Sequence, residues 1–138
     1  MKIQILDMEC APLEVRAGDA GIDLRSRVVY SLKPYCDSPI RVGIKVAIPE
    51  GHMGLIAPRS GLGTIGVKLK NDVGIIDANY RGEIIVHLIN ESTKPFNIRK
   101  GHRIAQMVIV PIYNPIFEIV ESLDETNRGA DGFGSSGV

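Results

Sequence analysis

Glycine and proline interrupt this chain about every eight to twelve residues, leaving short runs rich in Val, Ile and Leu between them. No run is long enough, or apolar at the right 3.6-residue spacing, to close several turns of helix. Strands are what such runs can form. The candidates are "KIQIL", "RVVYSL", "GIKVAI", "MGLIA", "VKL", "GEIIVHLI", "RIAQMVIV" and "IFEIV". The expected fold is therefore all-β, a sandwich or barrel of short strands. One helical turn is expected at "PRSGLGT", where Pro58 can open it. The runs "EIIVHLI" and "RIAQMVIV" are apolar on both faces, whereas an isolated sandwich solvates one face of each strand. A second burying surface, such as another subunit, would account for them.

With 138 residues and neither a repeat nor an internal linker, one domain with a real core is expected. Sixteen basic and sixteen acidic residues cancel. A nucleic-acid coat or an anionic-membrane binder needs a basic surplus, so neither is expected. A small anionic ligand needs only a few arginines and stays open. Cys10 and Cys36 show no metal-type spacing. The start, "MKIQILDMECAPLEVR", is broken by Asp7, Glu9 and Pro12 and does not read as a signal peptide. No apolar run reaches membrane-spanning length. The expected setting is reducing and cytoplasmic, with both thiols free.

Four stretches carry polar chemistry. In "AGDAGIDLRS", Asp23 and Asp19 lie among small residues. Either can sit near a hydrated Mg²⁺, or simply form a turn into a strand. In "PRSGLG", Arg59, Ser60 and Gly61 suit an anion at a helical start, or an ordinary capped turn. It is not a P-loop, since no GxxxxGK[ST] occurs. In "KNDVGIIDANYRGEI", Asn71, Asp72 and Gly74 supply hairpin chemistry between "VKL" and "GII". Asp77 and Tyr80 follow at three-residue intervals. A carboxylate beside phosphates can act as general base on water, or the Asp can be a solvated turn residue. In "RIAQMVIV", Gln106 sits among apolar neighbours, and its amide needs partners in the core or on a ligand. His52, His87 and His102 are scattered and read as surface or packing residues, with His102 in a turn.

The last twelve residues, "NRGADGFGSSGV", hold four glycines and two serines. Such a tail is commonly disordered. Arg128 and Phe133 are costly to display idly, and Gly/Ser backbone can wrap phosphate oxygens.

Taken in order, "AGDAGIDL", "PRSGLG", "NDVGIIDANYRGEI", "RIAQMVI" and "RGADGFGSSG" resemble the five motifs of the trimeric dUTP diphosphatase (dUTPase) family. The likeness runs from about Ala17 to Gly137. It implies a jelly-roll-like domain over residues 1–126 and a Gly-rich arm over 127–138. It also implies a homotrimer with shared active sites, in which the arm closes over a site built by other subunits. The implied reaction is hydrolysis of dUTP to dUMP and pyrophosphate with Mg²⁺ as cofactor. That would limit uracil in DNA and supply dUMP for thymidylate synthesis, in the cytoplasm or, for a viral protein, the host cytoplasm or nucleus.

Matched motif by motif, the resemblance makes Asp77 the residue that activates the attacking water. Asn71 with the backbone of Gly74, Ile75 and Ile76 would read uracil, leaving no room for a thymine methyl. Tyr80 would lie under the deoxyribose and disfavour a 2′-hydroxyl. Arg59, Ser60, Gly61 and Gln106 would hold phosphates, and Asp23 would reach the metal through water. Arg128 would meet the γ-phosphate, Phe133 would stack over uracil, and Gly134, Ser135 and Ser136 would wrap the phosphates. Asn79 departs from the family pattern, which often has an acid there, and Lys70 has no assigned role. Two alternatives stand beside this: a non-catalytic dUTP-binding regulatory relative, and a dCTP deaminase-type member of the superfamily. The latter uses a glutamate beside the pyrimidine that is not evident here.

Overall fold

The short β-branched runs become strands wherever another segment of the chain lies beside them. The computed structural model describes residues 1–12, 17–130 and 132. In chain order the strands are β1 (Lys2–Ile5), β2 (Ile22–Arg25), β3 (Tyr30–Leu32), β4 (Asp37–Arg41), β5 (Ile44–Ala47), β6 (His52–Ala57), β7 (Val67–Leu69), β8 (Gly74–Ile76), β9 (Ile85–Asn90), β10 (Phe96–Ile98) and β11 (Arg103–Pro111). A single helical turn, α1 (Ser60–Gly63), follows Pro58 as expected. The fold class is all-β, and every strand pairing among the described residues is antiparallel. The order β2-β11-β6-β8 makes one sheet and β4-β9-β7 another, with β1-β5 and β3-β10 as flanking pairs.

One core lies inside these sheets, and each supplies inward-facing residues to it. Leu24, Ile56 and Met107 come from the four-stranded sheet, Ile40, Leu69 and Leu88 from the three-stranded one. Leu32 and Ile98 come from β3-β10, Ile44 and Val46 from β5. The period-2 pattern is plain on β7, where Val67 and Leu69 are buried and Lys68 is not. On β9 the inward row Val86, Leu88 ends in a buried amide, Asn90. That amide donates to the carbonyls of Leu32 (3.1 Å) and Lys94 (2.8 Å) and accepts from the Ser92 N–H (3.0 Å), which meets the cost of burying it.

Two expectations need correcting. "IFEIV" forms no strand, because among the described residues no segment pairs with it. The whole stretch 112–127 has no strand pairing, and Ile116 and Ile119 are each 99% exposed. "DSPIR" does form a strand, β4, despite its polar composition and Pro39. Proline is tolerated there because β4 is an edge strand. Among the described residues no helix is long and apolar enough to cross a membrane.

Candidate active site

Strands β2 and β11 lie side by side and bring three of the motifs together. Asp23 on β2 stands opposite Gln106 on β11, and Gln106 stands opposite Ala57 at the end of β6. The chain leaves β6 through Pro58 and Arg59 directly beside this row. The Arg59 Nε lies 3.0 Å from one Asp23 oxygen. The Gln106 amide donates to the Pro58 carbonyl at 3.1 Å. Ser60 and Gly61, exposed on α1, begin just beyond.

A fourth residue, Arg103, belongs to this cluster and was not singled out in the sequence. Its guanidinium lies 3.3 Å from the other Asp23 oxygen, and its carbonyl accepts from Arg59 at 3.4 Å. Residues 103 and 106 are an odd number apart, so a regular strand would point them to opposite faces. The β11–β2 register shifts between Arg103 and Ala105, one residue being bulged out. The bulge turns Arg103 to the face that carries Asp23 and Gln106. The signal was tertiary, since the bulge exists only against β2.

Asn71, Asp77 and Tyr80 lie elsewhere. The expected hydrogen-bonded hairpin between "VKL" and "GII" is not formed. β7 pairs with β9 and β8 pairs with β6, so the turn over 70–73 carries the chain from one sheet to the other. The turn is tight, with Asp72 at φ 58° and the Val73 N–H donating to the Asn71 carbonyl at 2.6 Å. β8 is the edge of its sheet, so half of the backbone donors and acceptors between Gly74 and Ile76 have no strand partner. Such an edge presents backbone donors and acceptors outward, as a hairpin mouth would. Lys70, at the start of the turn, now has an account. Its ammonium meets Asp37 at 3.1 Å, and Asp37 also takes His87 Nε2 at 2.7 Å, tying the turn to β4 and β9. Lys70 first, then His87, hold the Asp37 carboxyl below its usual range. His102 sits in a turn, its Nδ1 taking the Arg99 N–H at 3.3 Å.

Asp77 follows β8 directly and is exposed. Among the described residues its carboxylate has no hydrogen-bond or ion-pair partner. Tyr80 is fixed: its N–H donates to the Asp77 carbonyl at 3.1 Å and its hydroxyl to the Glu83 carbonyl at 3.1 Å. Glu83 is itself buried. Its carboxylate accepts from the Gly43 N–H at 3.0 Å and pairs with Arg41 at 2.7 Å and Arg27 at 3.4 Å. Burial pushes this carboxyl's pKa up, but Arg41, the Gly43 N–H and Arg27 outweigh it, and the net shift is downward.

Asp77 and the Asp23–Gln106 cluster occupy opposite ends of the same outer sheet face, the turn at Asn71 lying at the cluster's end. Asp77 lies one position beyond the Ile76–Gly54 pair, while Gln106 pairs with Ala57. Four strand positions along and two strands across put their Cα atoms on the order of 15 Å apart. Between them stand Val108, Leu55 and Ile75, in one apolar row across β11, β6 and β8. Ile75 is 62% exposed. Arg128 is exposed on the C-terminal stretch. Phe133, Gly134, Ser135 and Ser136 lie outside the described residues.

The donor set bears on the expected metal. Among the described residues no three His, Cys, Asp or Glu side chains cluster to hold an ion. Asp23 is one carboxylate beside two arginines. This fits an ion carried on a polyphosphate, met through its water shell by one carboxylate, and not a resident protein cage.

Comparison with known proteins bears on the same residues. The dUTPase family profile matches residues 10–137. A deoxyuridine 5'-triphosphate nucleotidohydrolase of Cutibacterium acnes is 44% identical over 132 residues, 94% of this chain and 87% of that protein. One from Rhodococcus erythropolis is 46% identical over 91% of this chain and 78% of its own length. Among solved structures, the Staphylococcus bacteriophage 80alpha dUTPase with dUPNHPP superposes with a TM-score of 0.90 at 30% identity, covering 99% of this chain and 98% of that one. A mutant dUTPase from phage phi11 of S. aureus, described with a structural Mg(II) ion, gives 0.80 at 26% identity, over 88% and 96% of the two chains.

Proposed function

The chain belongs to the dUTPase family and is a dUTP diphosphatase, and we propose that water attacks the α-phosphorus of dUTP, releasing dUMP and pyrophosphate. The observation that supports this most is the convergence of Asp23, Arg59, Arg103 and Gln106 on one sheet face. Two guanidiniums and an amide are suited to phosphate oxygens. In this reading the Asp77 carboxylate takes a proton from the attacking water. A new P–O bond forms, the bond to the bridging α,β-oxygen breaks, and its electron pair leaves with pyrophosphate. Bound Mg²⁺ would neutralise triphosphate charge, and Asp23 would orient its water shell. The free edge of β8 with Asn71 would read uracil, and Tyr80 would face the deoxyribose. Residues 127–138 would act as an arm, with Arg128 on the γ-phosphate, Phe133 over the base and Gly134, Ser135 and Ser136 around the phosphates.

The site is proposed to lie between copies of a homotrimer. The gap between Asp77 and the arginine cluster supports this, as does the apolar row Val108, Leu55 and Ile75 that fills it on an outer face. A second copy seated there would cover apolar surface and bring its own Asp77 to the first copy's cluster. The exposed apolar residues of 112–127 are a further surface for a neighbour to cover. Cellular roles in limiting uracil in DNA and supplying dUMP, and a cytoplasmic setting, follow from the same reading.

Product analysis with dUTP, dCTP, dTTP and UTP, each with Mg²⁺, tests it. Conversion of dUTP alone to dUMP and pyrophosphate is expected. Release of ammonia from dCTP would point to a deaminase, and binding of dUTP without turnover to a regulatory relative.

A further inference from the structure

We propose that Gly82 is a positioning residue for sugar selectivity, acting as a notch that receives the far edge of the Tyr80 ring. The proposal rests on the assignment of Tyr80 to the deoxyribose. A Cβ built on Gly82 would stand 2.5 Å from Tyr80 Cζ and 3.0 Å from Cε2, and would also collide with the hydroxyl oxygen. All three nearest atoms belong to that one side chain. The backbone does not itself demand glycine here. Gly43, Gly66 and Gly101 have left-handed φ values, but Gly82 is not among the positive-φ residues. Alanine is therefore compatible with the chain path and incompatible with the ring.

The notch has a floor. The Tyr80 hydroxyl donates to the carbonyl of the next residue, Glu83, whose carboxylate is held by Gly43, Arg41 and Arg27. The ring thus folds back over its own chain at Gly82 and is pinned at its tip to an anchored peptide group. A ring fixed at both ends presents a wall that cannot yield to an added hydroxyl. Discrimination by steric exclusion requires such rigidity, because a side chain free to rotate aside rejects nothing. Any side chain on residue 82 lifts the ring from this seat and breaks the bond to Glu83.

The test is the ratio of kcat/KM for dUTP to that for UTP in wild type, Gly82→Ala, Tyr80→Ala and the double variant. The ratio in Gly82→Ala should fall about tenfold or more, towards that of Tyr80→Ala. In the Tyr80→Ala background Gly82→Ala should change nothing further, since the atoms it meets are gone. A loss that persists without the ring would mark a merely structural role and overturn the proposal, as would an unchanged ratio in the single variant. If Gly82→Ala alone fails to fold, the ratio is read in Tyr80→Phe, which frees the ring tip from the Glu83 carbonyl and leaves Gly82 in place: a fall supports the pinned ring, and an unchanged ratio overturns it. The Tyr80 ring signals in NMR provide a readout independent of turnover. They should shift in Gly82→Ala, and an unmoved signal refutes the notch. A wild type that does not hydrolyse dUTP refutes the functional reading instead.

Discussion

Replacing Glu83 by Gln keeps the shape of the side chain and removes its charge. The amide oxygen can still accept from the Gly43 N–H, now at 3.0 Å, so that buried donor stays satisfied. The loss falls on the arginines. A charge-assisted bond of the kind made to Arg41 contributes about 1.5–3 kcal/mol when sheltered. The Arg41 side chain is 60% exposed, so solvent screening reduces this to about 1 kcal/mol. The new NH₂ group faces guanidinium donors with no acceptor, adding roughly 1 kcal/mol. The total, about 2 kcal/mol, corresponds to a fall in Tm of about 6 °C for a chain of this size. Thermal unfolding from pH 7 to pH 3 gives the decisive comparison. The folded-state pKa of Glu83 is depressed below its ordinary 4.5. Its contribution is therefore whole above that value and is lost as pH falls through the lower folded value. Gln does not titrate, so the gap between wild type and variant should close with acidification. A gap that is constant over this range, or absent at pH 7, would refute the account of a buried, charged Glu83.

Three further outcomes are expected. Asp77→Asn should abolish turnover while leaving dUTP binding intact by calorimetry, and a fully active variant would remove Asp77 from the role of base. Arg103→Gln should raise KM for dUTP by about tenfold, the worth of one charge-assisted phosphate contact, with the Tm little changed because Arg103 is exposed. Truncation after Asn127 should cut turnover severely and leave the oligomer measured by light scattering unaltered, whereas an active truncated protein would deny the tail any part in the site.

Local pattern alone determined the class of fold here. Glycine and proline cut the chain into runs too short for helices, and the Val, Ile and Leu content of those runs suits strands. The ordered motifs likewise singled out Asp23, Arg59, Asp77, Tyr80 and Gln106 as candidates, because side-chain chemistry and its order are written in the chain. Partnership is not written there. "IFEIV" has strand composition but pairs with no segment among the described residues, while "DSPIR" has none and pairs as an edge strand. β7 and β8 share a turn yet join different sheets. Tertiary structure alone decided that Arg103 faces Asp23, through a bulge that exists only against β2. It likewise placed the Tyr80 ring where a Cβ on residue 82 would stand. A hydrogen-bond ladder and a bulge are relations between segments, and only the folded chain brings those segments into contact.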